Sequence, residues 1–215
     1  MYRKDYILTM IEELAQFLGR LIFLKETSRF EAALAEIDEV SGRLFERSIR
    51  QLDAMTPEEI LTLSRGWEDV RRSFALGSIL KELGDIASLK GDEARAGDLY
   101  GKGLGVLLDI YGTGQEALPL ETVDKIETLL QLADGGTIPP IVARLLFLYQ
   151  ERGGFYADAE DLLFDLLQHD EPGMLDEGIA FYERLLTKDD TDLRDGNLPR
   201  EEVEEGLSEL RRKKA

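Results

Sequence analysis

Apolar residues recur at every third or fourth position through most of this chain, the spacing of a helix with one buried side. Over 3–26, Ile7, Ile11, Leu14, Leu18 and Leu21 form a stripe. Phe17, Ile22, Phe23 and Leu24 widen it, so this helix is expected to pack on more than one side. Phe30, Ala33, Leu34, Ile37, Val40 and Leu44 carry the pattern through 29–50, after a turn near Thr27-Ser28. Thr56-Pro57-Glu58-Glu59 is a strong helix start, with a capping threonine, proline in the first turn and glutamate three residues after the cap. It predicts a short helix to about Ser64, then helices over 67–90 and 92–111. Pro119 is expected to open a helix to about Leu132, and Pro139-Pro140 another to Arg152. Helices over 155–169 and 174–187 follow. Asp189–Gly196 is expected to be a polar loop before a last helix begun by Asn197–Pro199. That helix is rich in glutamate early and ends in Arg211-Arg212-Lys213-Lys214, the order that suits a helix dipole. No run alternates with the two-residue period of a strand, so no sheet is predicted.

The breaks between helices repeat. Ala33, Ala96 and Ala159 stand 63 residues apart. Each follows a turn residue by five positions (Ser28, Gly91, Gly154) and precedes an apolar residue by four (Ile37, Tyr100, Leu163). A period of 63 is close to two helical hairpins of about 32 residues each. The central copy, 78–108, is the clearest: Gly84 and Ala96 let two antiparallel helices approach closely, and Tyr100 fills the space toward the next hairpin.

Leu80, Leu83, Gly84, Ala87, Ala96, Tyr100 and Gly103 stand where a tetratricopeptide repeat places its packing residues, and this hairpin resembles that family. Residues 14–44 resemble it with Leu21 at the Gly84 position, and 140–170 with Phe147 there. Gly178 and Tyr182 resemble a lone second helix. The resemblance, to a tetratricopeptide-like family of bacterial type, implies an all-α fold: a right-handed solenoid-like stack of antiparallel hairpins with nine or ten helices. It treats 1–215 as one helical-repeat domain, with hairpins at about 3–50, 51–90, 78–111, 117–152, 140–170 and 174–213. It implies a protein-binding scaffold and no chemistry.

Composition narrows the classes further. Charged residues make up 33% and the formal net charge is −18. Such a surface repels phosphate backbones and anionic lipid, which argues against nucleic-acid and membrane partners and leaves basic or peptide-like protein partners open. The chain has no cysteine, which excludes disulfides and thiolate metal sites and fits a reducing cytoplasm. No window of about 18 uncharged apolar residues is present to cross a membrane.

The residue types that carry chemistry are sparse. His169, the one histidine, is expected to stand at a helix C-terminus rather than act as a base or ligand. Gly97–Gly103 has the wrong spacing for a phosphate loop, and Gly103 stands where serine or threonine is required. Asp189, Asp190, Asp192, Asp195 and Gly196 hint at a calcium loop, but Thr191 and Leu193 fall on ligand positions. Glu12-Glu13, Glu58-Glu59, Glu201-Glu202 and Glu204-Glu205 belong to first turns and solvated faces. Phe17, Phe23, Phe74, Tyr100, Phe147, Tyr149, Phe164, Phe181 and Tyr182 are expected in the core. No catalytic, cofactor or metal residue is therefore assigned. Arg20, Lys81, Asp85 and Arg144 lie on first helices of hairpins, whose surface would line a groove. The reading is a non-enzymatic protein-interaction module. The alternatives are a self-associating adaptor, using the two-sided first helix and the glycine-rich 97–105, or an enzyme with a carboxylate site.

Overall fold

The computed structural model describes residues 16–114, 120–133 and 138–214. Helix α1 is seen over 16–26. It is followed by α2 (Phe30–Phe45), α3 (Ile49–Ala54), α4 (Pro57–Arg65), α5 (Val70–Leu89), α6 (Glu93–Gly112), α7 (Thr122–Ala133), α8 (Pro140–Gly153), α9 (Tyr156–Gln168), α10 (Met174–Leu185), α11 (Asp190–Asp195) and α12 (Arg200–Lys214). No strand occurs among the described residues. Ile7, Ile11, Leu14, Glu12-Glu13 and Pro119 lie outside them.

Two elements differ from expectation, which raises the helices among the described residues to twelve. The helix over 29–50 stops at Glu46, which adopts φ 56°, and Ser48 then starts α3. Ser48 accepts from the Gln51 amide while the Gln51 side chain accepts from the Ser48 amide, a capping box like that of Thr56 and Glu59. Asp189–Gly196 is helical rather than a loop, because Asp189 accepts from the amides of Thr191 and Asp192 and so caps α11.

Contacts divide the chain into two compact units, 1–137 and 138–215. In the first, α5 runs along α6, with α2 on α5, α4 on both, and α7 on α6 and α5. Arg65 forks onto both carboxylate oxygens of Asp109, tying α4 to α6. Lys102, only 3% exposed, donates from α6 to the Asp53 carbonyl near the end of α3 and to Asp98. In the second unit, α8 packs on α9, α9 on α10, and α10 on α12, around Phe147, Leu163, Phe181 and Tyr182.

The 63-residue period is present in the backbone. Ser28, Gly91 and Gly154 all have positive φ (55°, 81° and 81°). In each copy the next amide reaches back five residues: Arg29 to Leu24, Asp92 to Ala87 and Phe155 to Gln150, at 2.8–2.9 Å. That bond satisfies a helix-end carbonyl in a Schellman-type turn. Ala33, Ala96 and Ala159 then donate to the residue four before them and are at most 1% exposed. One feature went unread in the sequence: Leu21, Gly84 and Phe147 have a fourth partner 63 residues on, Leu210 of α12, which is fully buried.

Candidate functional site

The most concentrated chemistry among the described residues lies in the first unit, where α1 meets α5. On α5, Asp85 stands four residues after Lys81 and three after Glu82, so both adjoin it on the helix surface. Lys25, sixty positions away, brings its ammonium from the end of α1 to within 2.5 Å of both the Glu82 and Asp85 carboxylates. Lys81 donates to Asp85 at 2.8 Å, and the Tyr100 hydroxyl donates to the other Asp85 oxygen at 3.2 Å. The side chains of Lys25, Glu82 and Asp85 are 12%, 8% and 16% exposed, so water screens little of this.

The titration of the group follows. For Asp85, burial alone would raise the carboxyl, but the bonds from Lys25 and Lys81 outweigh it and hold it below the ordinary aspartate range. For Lys25, burial would lower the ammonium, and its bonds to Asp85 and Glu82 hold it above the ordinary lysine range. The Tyr100 phenol is pushed far up by burial and then by the Asp85 charge. An anchored, ionised Asp85 is a weak proton acceptor, and the phenol, kept neutral, donates its hydrogen to that carboxylate. The cluster is built to hold α1 on α5 and to keep Tyr100 over Gly84; a Cβ at Gly84 would stand within 3 Å of that ring.

Beside this cluster, α1 presents Ile22 and Phe23 to solvent, 52% and 57% exposed, flanked by the buried Leu21 and Leu24. Phe23 was expected in the core. The stripe of α1 is wide enough to cover two sides, but the described residues bury one of them. The other aromatics conform more closely: Phe17, Phe74, Tyr100, Phe147, Tyr149, Phe181 and Tyr182 are buried, and Phe164 is partly buried.

The remaining sequence candidates are dispersed. Arg20 pairs with Glu36, and Arg144 donates to the Pro172 carbonyl in the second unit. Lys81 and Asp85 alone of that set come together. His169 follows α9 and faces the Asp165 carbonyl at 2.8 Å, as its position suggested. Gly97–Gly103 lies within α6, where Gly101, Gly103 and Gly105 are buried and Gly103 abuts the Gly77 carbonyl, Leu80 and Leu129. Gly103 thus serves a contact inside the unit. Glu201-Glu202 and Glu204-Glu205 are exposed on α12. No group of three or more histidine or acidic side chains placed to hold a metal occurs among the described residues.

Lys25, Glu82 and Lys125 were not singled out from the sequence. Glu82 offers only its place between Leu80 and Leu83, beside Lys81 and three residues before Asp85. Lys25 carries no signal, because its partners are fixed only by tertiary packing. No described helix is long and apolar enough to cross a membrane. A family of unknown function, DUF6483, matches residues 1–215, and the chain belongs to it. No curated protein and no solved structure matches it.

Proposed function

We propose that this member of DUF6483 is a non-enzymatic protein-binding module of the cytoplasm, built from tetratricopeptide-like hairpins stacked in the manner of a right-handed solenoid. Its partner is a protein segment that brings apolar anchors flanked by basic residues, and it binds neither nucleic acid nor membrane. The observation that carries the reading is the pair Ile22 and Phe23, two large apolar side chains more than half exposed on a helix that Leu21, Leu24 and Lys25 hold in place. Aromatic and aliphatic anchors of this kind dominate binding energies at interfaces, and a chain of net charge −18 complements basic flanks. Three equivalent hairpin turns supply the repeated frame that the resemblance associates with binding scaffolds.

The test is capture from a native lysate, with the captured protein identified, using the full chain and a variant carrying Ile22→Glu and Phe23→Glu. Both positions are exposed, so the variant keeps the parent's helical circular dichroism. Its affinity for the captured partner is expected to fall at least about a hundredfold, two anchors each contributing on the order of 2 kcal/mol. Unchanged capture by the variant overturns the assignment to α1. If the parent self-associates in light scattering and the variant does not, the same two side chains serve a homo-oligomer.

A further inference from the structure

Helix α7 carries a half-buried lysine that stands apart from the ion pairs of the described residues. Lys25, Lys81, Lys90, Lys102, Lys213 and Lys214 each stand within ion-pair distance of a carboxylate. Lys125 has no such partner among the described residues. Its ammonium instead sits 5.6 Å from the centre of the Phe74 ring on α5, and the side chain is half-buried. The groups that face it are Lys81, Glu82 and Asp85 from α5 and Glu121, just before the start of α7. Both α5 carboxylates are already bound by Lys25 and Lys81.

An amine so placed loses water around its charged form and receives no salt bridge from the described residues in return. A ring face attracts a cation but accepts no full hydrogen bond. The nitrogen lone pair is therefore available at a lower pH than on a solvated lysine, and burial does lower this ammonium below the ordinary range. Nucleophilic lysines are made in this way, by desolvation; here the Lys81 charge adds to burial while Glu82, Glu121 and Asp85 oppose it.

We propose that Lys125 is an acyl-accepting amine, a modification site for a small acyl phosphate. The Nζ lone pair attacks the acyl carbonyl, an amide C–N bond forms, the C–O bond to phosphate breaks, inorganic phosphate leaves and the amine proton passes to water. Acylation turns a poorly solvated cation into a neutral amide on an apolar ring. It breaks no ion pair among the described residues and leaves the Lys25, Lys81, Glu82, Asp85 cluster electrically balanced.

The experiment treats the folded full chain with limiting acetyl phosphate near pH 8 and maps acetylation by peptide mass spectrometry. Lys188 is the comparator, since its side chain is exposed and has no carboxylate partner among the described residues. Lys125 is expected to react at least about threefold faster than Lys188, because a lower pKa exposes more free amine while reducing its nucleophilicity only in part. The advantage is expected to vanish in the urea-unfolded chain, and Lys125→Arg to remove the signal from that peptide. Reaction no faster than at Lys188, or an advantage that persists in urea, overturns the proposal.

Discussion

Replacing Lys25 with methionine is expected to destabilise the 1–137 unit by about 3 kcal/mol. The substitution keeps the apolar stem and deletes the ammonium that bridges Glu82 and Asp85. Two largely buried carboxylates then share Lys81 alone, and an uncompensated buried charge is far more costly than a lost surface pair. Trp67 makes this measurable. It is the only tryptophan, belongs to this unit, stacks on Phe45 at 5.4 Å and carries Arg72 over its ring at 4.4 Å. Its fluorescence during urea unfolding follows 1–137 without interference from 138–215.

The same variant changes the pH dependence in a defined direction. Asp85 lies below its ordinary value in the folded chain, so its contribution is present above that value and is lost as pH falls through the folded one. Lys25 lies above its ordinary value, so its contribution is present below that value and is lost as pH rises through the folded one. The cluster therefore stabilises the fold from about pH 5 to about pH 10, and Lys25→Met flattens the acid limb of the stability curve. A loss below about 1 kcal/mol, the scale of an exposed pair, contradicts the description of the cluster as buried.

Substitution of Gly196 by alanine is expected to cost the 138–215 unit about 3 kcal/mol. A Cβ there would lie 2.5 Å from the Gly154 carbonyl oxygen and closer still to the Tyr156 ring. Gly154 is fixed by its own turn, and Ala157 donates to the Gly196 carbonyl at 3.0 Å, so neither backbone segment can retreat without losing hydrogen bonds. Gly84→Ala in the first unit is expected to cost less, about 1–2 kcal/mol, because the obstructing atoms belong to the Tyr100 ring, which can tilt if its bond to Asp85 is given up. Gly97→Ala is the control. Its Cβ would meet nothing within 4 Å, and a helical position with that freedom gains up to about 1 kcal/mol. Thermal unfolding followed by circular dichroism ranks the three. Equal effects at Gly196 and Gly97 contradict the close approach of backbone at Gly196.

Much of the fold was legible because helix signals are local. Thr56, Pro57 and Glu59 act within four residues, and the alanines at 33, 96 and 159 mark turns closed by bonds spanning five. Two further helix starts are encoded just as locally. Ser48 and Gln51 form a capping box of the same kind as Thr56 and Glu59, and Asp189 caps 190–195 as a short helix. The candidate site was less legible for a different reason. Lys25 finds its carboxylates only after α1 is laid on α5, and nothing near Lys25 in the chain encodes that pairing. Phe23 illustrates the converse: helical spacing states that a side chain can be buried, while the neighbours decide whether it is.

The account rests on three hairpin turns with the same backbone. Amide hydrogen exchange by nuclear magnetic resonance reads them directly through the amides of Arg29, Asp92 and Phe155, each bonded back five residues to a helix-end carbonyl. All three are expected to exchange far more slowly than unstructured amides, with Ser28, Gly91 and Gly154 showing the couplings of positive φ. Slow exchange at Asp92 alone, with Arg29 and Phe155 exchanging freely, would reduce the repeat to one hairpin and contradict the account.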